Sequence, residues 1–270
     1  DRRGGIGAGP TACGARHHNR CCPCAWAAPR PETRDEMASP PHAPPGTVRL
    51  LLIRHAECEM NLALGTHVGG RATASPLTDL GRAQARALGE RLAGSGFCGG
   101  GDIASLHASP AVRAVDTAAA IAAARGLLHD VVSIHDDLQE ICMGEWSGKE
   151  RSRCYTESAR AAMRADPAGF APPGGESQAE VEARVAACVK RIMGGLDPGA
   201  PPGVAVAHGL AIKCFLRGVL HADVDSFAAR NIGLANTGIV EVAHDGRVAN
   251  RDAWHVLRVN DAAHLEGLTL

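Results

Sequence analysis

The sequence predicts an α/β fold: a three-layer α/β/α sandwich with a mostly parallel sheet and an antiparallel edge strand. Three observations predict it. Short apolar runs alternate with helix-periodic segments from residue 48 to about 220. The first run, Leu50-Leu51-Leu52-Ile53, is continuously apolar, as a strand buried on both faces must be. The last two, 239–242 and 254–257, flank an Asp245-Gly246 step, which reads as an antiparallel hairpin closing the sheet.

Length and composition support one large core. Of 270 residues, 45 % are hydrophobic and only 3 % aromatic, so the core is built from Leu, Val, Ile and Ala. The formal net charge of -1 calls for neither nucleic acid nor a membrane surface. No apolar run approaches the ~20 residues of a membrane-spanning helix. Ten cysteines are present. Four of them (Cys13, Cys21, Cys22, Cys24) fall in the opening segment and the rest are dispersed singly, which favours a reducing compartment over a disulfide framework.

Residues 1–46 are rich in Gly, Pro, Arg and Ala without periodicity and are expected to be disordered. Met37-Ala38-Ser39 has the look of an ordinary start, which would leave the protein cytoplasmic. The Arg-containing, acid-poor opening also reads as part of a transit peptide, which would send it to a plastid or another organelle. Cys21-Cys22-Pro23-Cys24 lacks the second Cys or His pair of a zinc site. Gly5, Gly7 and Gly9 imitate a dinucleotide pattern, but no strand precedes them. A single domain is expected over 47–262, with 263–270 loose.

The first strand is placed at 48–54. Thr78 caps a helix whose apolar face is Leu80, Ala83, Ala87, Leu88 and Leu92. Glycines from Gly94 to Gly101 end it. The second strand, 102–107, leads to Ser109 as cap and Pro110 as first residue of an Ala-rich helix reaching about 125. The third strand is placed at 131–138. Residues 150–165 are helical but polar and suit a cover over a pocket. Pro172-Pro173-Gly174-Gly175 is a hard break. Ser177 and Glu180 then form a capping box for a helix carrying Val181, Val185, Cys188, Val189, Ile192 and Met193. The fourth strand, 204–207, precedes a helix to Leu220.

What ends each strand carries the chemistry, because ligands of such sheets bind beyond the strand carboxyl ends. The four ends offer Arg54-His55, Ser109 with Arg113, Glu140, and His208-Gly209. That set has two arginines, two histidines and one carboxylic acid, with no metal-ligand cluster and no need of a cofactor. It suits a phosphoryl group, which carries about two negative charges. Arg54 and Arg113 can each grip two oxygens through the guanidinium fork, and His208 supplies a third side. His55 as nucleophile must be neutral, which two nearby arginines favour. Its other ring nitrogen then needs an acceptor such as a backbone carbonyl. Glu140 is the carboxyl group placed to protonate a leaving alkoxide and later to activate water.

These residues resemble the motifs of the histidine phosphatase superfamily, also called phosphoglycerate mutase-like. Arg54-His55-Ala56-Glu57 with Asn61 resembles its Arg-His-Gly-Glu motif. Leu77-Thr78, Gly81 and Gln84-Ala85 resemble its Leu-Thr-x-x-Gly-x-x-Gln-Ala segment. Ser109 with Arg113 and Thr117-Ala118 is similar to its Ser-x-x-x-Arg-x-x-x-Thr-Ala motif. Glu140 with Gly144 and Gly148, then Gly174-Gly175-Glu176-Ser177, then His208-Gly209, continue the match over about 47–260. The resemblance implies His55 as the phosphohistidine nucleophile, Glu140 as proton donor, and Arg54, Arg113, His208 and Asn61 as phosphate contacts. Ala56 stands where the family most often has Gly, and Cys58 where Ser or Thr is common.

Beside these, Glu57 reads as a structural hydrogen-bond partner, Trp146 as packing for the Glu140 loop, and Arg71 as a candidate for reaching substrate. His107, His129, His135, His221 and His255 read as fillers. The expected activity is hydrolysis of a small phosphorylated metabolite without a metal. The alternatives are phosphoglycerate mutase-type transfer and a catalytically silent phospho-ligand binding module. The segment 142–173 favours hydrolysis, since it is short and its arginines are partly balanced by acids. No partner beyond the small substrate is implied, and a homodimer is left open.

Overall fold

The leading strand, β1 (Val48–Arg54), lies inside a sheet of order β3-β2-β4-β1-β5-β6. The computed structural model describes residues 43–94, 97, 102–222, 232–247 and 253–268. The tail cysteines, the opening glycines, Met37 and most of the 95–101 glycine run lie outside the described residues. In chain order the elements are β1, α1 (Glu59–Ala63), α2 (Asp79–Ala93), β2 (Ser105–Ala108), α3 (Val112–Ala124) and β3 (Val132–Ile134). Then come α4 (Arg151–Cys154), α5 (Glu157–Ala165), α6 (Gln178–Gly194), β4 (Gly203–Ala207), α7 (Gly209–Val219), β5 (Ile239–His244) and β6 (Trp254–Asp261).

Pairing of β1 with β4, β4 with β2 and β2 with β3 is parallel, whereas β5 is antiparallel to both β1 and β6. This is the mostly parallel sheet with an antiparallel edge that the alternation of elements predicts. Side chains of β1 alternate between two cores. Leu50 and Leu52 face α6 and α7, among Val185, Val189, Ile212 and Phe215. Leu51 and Ile53 face α2 and α3, among Leu88, Leu92, Ala118 and Ile121. The helix after β1 thus leaves to one face and the helix after β4 to the other, so the crevice of this sheet opens where β1 meets β4.

Several local expectations need correction. The buried face of α2 is Gly81, Gln84, Ala85, Leu88, Gly89 and Leu92, turned by about one residue from the expected stripe. Contact with backbone decides this, because a Cβ on Gly81 would sit 1.9 Å from the Glu57 carbonyl oxygen. Ser109 is not the cap of α3; Ala111 holds that position, and the Ser109 hydroxyl bonds His208 instead. The third strand shrinks to Val132–Ile134, since an outermost strand with exposed Ser133 and Ile134 has no second partner. The second begins at Ser105, not 102. The polar segment after Glu150 is two helices, α4 and α5. The Ser177–Glu180 capping box on α6 forms as expected. Ala263–Leu265 makes a 3-10 turn, with His264 Nε2 2.8 Å from Thr237 Oγ1.

Candidate active site

The carboxyl ends of β1, β4 and β2 bring His55, His208 and Ser109 side by side. The His55 and His208 ring centroids are 5.1 Å apart. The His55 backbone N–H donates to Ala207 O at 3.0 Å, which extends the β1–β4 pairing by one residue. Arg113, from the first turn of α3, lies between the two rings. Its Nε donates to His55 Nε2 at 3.2 Å, and its Nη2 reaches His208 Nδ1 at 3.2 Å. The carbonyls of Ala72 and Gly70 accept from the same guanidinium.

These contacts assign the ring protons. His55 Nδ1 is 2.7 Å from the Ala56 carbonyl, which can only accept, so Nδ1 carries the proton and Nε2 the lone pair. Burial, then Arg113, lowers the His55 pKa to about 3, with Arg54 contributing further. The ring is therefore neutral at ordinary pH. Toward a guanidinium, His208 Nδ1 can only accept, so its Nε2–H donates to Ser109 Oγ at 2.8 Å. Burial, His55 and Arg113 hold His208 neutral as well.

A cavity of about 240 Å³ opens over His55. Arg54, Arg113, Asn61 and Glu140 line it, so the structure brings these four to the proposed nucleophile. His208 does not line it; it is fully buried behind Arg113. Arg54 donates through Nη1 to Leu234 O at 2.7 Å, and its buried Nε has no hydrogen-bond partner among the described residues. Asn61 caps α1 reciprocally with Cys58, accepting the Cys58 N–H at 3.0 Å through Oδ1.

Glu140 reaches the cavity from the loop after β3. Its Oε1 accepts from Ile141 N and Ala211 N, and its Oε2 from Leu210 N, at 3.0–3.1 Å. The carboxyl group thus sits on the first turn of α7 and accepts from N–H groups that the helix leaves free. Arg184 fixes the loop that carries it, donating to the carbonyls of Asp137, Gln139 and Glu140 and forking onto Glu176. Arg71 bonds Glu176 and the Glu140 carbonyl, which makes it part of the same brace.

The residues around His55 tie the motif segments to one another. Ala56 N–H donates to Thr117 Oγ1, and Glu57 N–H to Gln84 Oε1. Thr78 Oγ1 donates to the Glu57 carboxylate and accepts the Gly81 N–H. Glu57 is thus tied to α2, the structural place expected of it. The Ala56 methyl is fully buried against Cys58, Leu77 and Ala85. Gly144 adopts φ +50°, and a Cβ there would lie 2.2 Å from the Pro173 carbonyl, so the Gly174-Gly175 turn can close against it only with Gly at 144. Trp146 packs on Tyr155 and Phe170 and does not line the cavity. His107 and His135 bond each other at 3.0 Å and do not line it either.

Sequence reading missed four residues here. Asn236 Nδ2 donates to the His55 carbonyl and to Asn61 Oδ1. Thr237 beside it is fully buried at φ +57°, a strained setting for a β-branched residue. Nothing short of the fold announces either. Arg184 had a signal, since it falls three residues after Val181 on the apolar side of α6. Lys213 lines the cavity from α7 and had none.

Among the described residues, no group of three or more His, Cys, Asp or Glu side chains could hold a metal ion, and no helix is long and apolar enough to cross a membrane.

The histidine phosphatase superfamily (branch 1) matches residues 50–261. A glucosyl-3-phosphoglycerate phosphatase of Mycobacterium tuberculosis is 31% identical over 203 residues, covering 72% of this chain and 85% of its own. A probable phosphoglycerate mutase of Proteus mirabilis is 28% identical over 83% of this chain and 97% of its own. The solved structure of the native mycobacterial glucosyl-3-phosphoglycerate phosphatase superposes with a TM-score of 0.65 at 28% identity, covering 79% of this chain and 99% of that one.

Proposed function

The chain belongs to the histidine phosphatase superfamily (branch 1), and on that premise we propose that it hydrolyses a small phosphomonoester through a phosphohistidine formed on His55. The observation that carries the reading is the Nδ1–H bond to Ala56 O, which leaves the Nε2 lone pair of a neutral ring beside the cavity. Arg54 and Arg113 neutralise the phosphoryl oxygens, and the unpartnered Arg54 Nε is a donor available to one of them. Asn61 adds a contact, and His208 orients Arg113.

In the first half-reaction His55 Nε2 forms a bond to phosphorus as the bond to the substrate oxygen breaks. Protonated Glu140 gives its proton to the leaving alkoxide. In the second, water attacks the phosphohistidine and Glu140 takes its proton. Inorganic phosphate leaves, and His55 and Glu140 return to their starting states.

Hydrolysis is favoured over mutase-type transfer by the segment that follows Glu140, where the expected cover is not formed, since no residue of 142–173 lines the cavity. Arg153 and Arg164 pair with Glu150 and Glu157, Arg160 bonds the Tyr155 carbonyl, and Arg151 stacks over the Tyr155 ring. These arginines are spent within α4 and α5 and their flanks and are not offered to a second phosphate. A silent binding module would not need both His55 and Glu140 at one cavity. The partner proposed is the small phosphorylated substrate alone.

Rapid mixing with a phosphorus-labelled phosphomonoester tests the proposal. Label stable to base and labile to acid should appear on the chain and be absent from His55→Ala. Steady turnover with no labelled protein at any mixing time would overturn it.

A further inference from the structure

Asn61 lines the cavity beside Arg54 and Arg113, and its use there depends on which way its amide faces. An amide carries two N–H donors on one atom and an acceptor oxygen on the other. Toward phosphoryl oxygens the first attracts and the second repels. The contacts of Asn61 decide between them. Its Oδ1 lies 3.0 Å from the Cys58 backbone N and 3.4 Å from the Cys58 thiol. A backbone N–H can only donate, so the atom facing it is the oxygen. Asn236 Nδ2 adds a third donor to the same oxygen at 3.3 Å. Among the described residues Asn61 Nδ2 has no hydrogen-bond partner, so both of its protons are left for what the cavity holds.

The amide of Asn236 is fixed in turn. Its Nδ2 also donates to the His55 carbonyl at 2.9 Å, and a carbonyl can only accept. The turn that carries Asn236 is held from several sides. Ala235 N–H donates to Asn260 Oδ1 at 2.7 Å, and Thr237 N–H to Arg54 O at 2.9 Å. Thr237 Oγ1 gives its one proton to Asn236 O at 2.7 Å, so it accepts from His264 Nε2–H at 2.8 Å. These bonds keep Thr237 at φ +57°, a conformation that persists only where the surroundings enforce it. Asn236 does not line the cavity, so anything it does for a substrate passes through Asn61 or His55.

We propose that Asn236 is a positioning residue: by saturating Asn61 Oδ1 it locks the Asn61 amide with Nδ2 toward the cavity, and so makes Asn61 a donor to the phosphoryl group. This rests on the phosphohydrolase reading and deepens it. A residue from the turn before β5 thereby sets the polarity of one on α1, and the strained Thr237 is what holds it there.

The experiment uses the full chain, with p-nitrophenyl phosphate as substrate and inorganic phosphate as competitive inhibitor. Asn236→Leu, close to the same size but without donors, should weaken inhibition by phosphate about 5- to 10-fold, since a hydrogen bond to a charged group is at stake. Asn61→Ala should weaken it by a similar factor. In the double variant, Asn236→Leu should add about 2-fold or less, because the amide it positions is gone. Asn236→Asp, of equal size, repeats the comparison if the leucine variant does not fold. Its loss should also shrink in the Asn61→Ala background, whereas plain repulsion of phosphate by the new charge would persist there. Equal losses in both backgrounds overturn the proposal, since Asn236 would then act through His55 or the fold at large. An Asn236→Leu or Asn61→Ala enzyme that binds phosphate as the parent does overturns it as well. These results leave the phosphohydrolase reading standing. That reading fails separately, if the parent hydrolyses no phosphomonoester.

Discussion

Arg113 Nε donates to His55 Nε2 across 3.2 Å, so the lone pair proposed to attack phosphorus is held by the guanidinium proposed to bind the phosphoryl oxygens. One contact thereby keeps the ring neutral, aims Nε2 at the cavity and marks where a phosphoryl group would replace it.

Arg113→Met should lower kcat/KM by about 10²–10³-fold, the usual loss when a donor to developing charge is removed. It should also raise the pKa of His55, because Arg113 is the largest charge holding it down. The acid limb of the kcat/KM profile against pH would then move to higher pH. An acid limb that stays in place would remove Arg113 from control of the nucleophile.

Glu140 is expected to show its two roles separately. Glu140→Gln should slow alkyl phosphates by about 10²–10⁴-fold while slowing nitrophenyl phosphates much less, since a good leaving group needs no proton. Glu140→Ala should behave likewise but also lose about 1 kcal/mol of stability, having given up the acceptor for the Leu210 and Ala211 N–H groups on α7. Urea midpoints of the two variants check the second effect, and equal rate losses on both substrate types would refute the first.

Gly81→Ala places a good helix former on the buried face of α2, yet it should destabilise the fold by about 3 kcal/mol. The added Cβ meets the Glu57 carbonyl at 1.9 Å, and that carbonyl belongs to the segment that carries His55. A lower urea midpoint at unchanged slope is the expected result. A stability gain, as helix propensity alone would give, would show that α2 can shift away.

Acid should weaken the fold through the buried rings. The pKa of His55 falls from 6.5 unfolded to about 3 folded, and that of His208 falls well below 6.5. Below pH 6.5 the unfolded chain therefore takes up protons that the folded chain refuses, and stability drops as pH falls from 6.5 towards 3. Each ring contributes a slope of about 1.4 kcal/mol per pH unit. Unfolding followed from neutral pH down to about pH 4 should be shallower in His55→Ala by about that slope; an identical slope would mean that His55 is not held neutral.

Much of this protein was legible before its fold was known. The unbroken apolar run from Leu50 to Ile53, ending in Arg54-His55, marked a central strand and its functional end, because burial on both faces leaves no room for alternation. The spacing of Val181 to Met193 and the Ser177–Glu180 capping box depend only on neighbours within a few turns, and both appear as read. The chemistry of the strand ends was legible for a similar reason, since parallel strands must present their carboxyl ends on one rim.

Tertiary structure alone decided what depends on distant backbone. The face of α2 follows from where the Glu57 carbonyl lands, and the length of β3 from its place at the sheet edge. Ser109 left its cap position because His208 arrives beside it from 99 residues away. Asn236, Thr237 and Lys213 carry no local mark, and they meet the site only because β5 lies against β1 and α7 leaves β4 at the crevice. Periodicity records which side of an element is buried, whereas the partner it is buried against is set by strand order, and strand order is a property of long-range pairing that no short stretch of this chain contains.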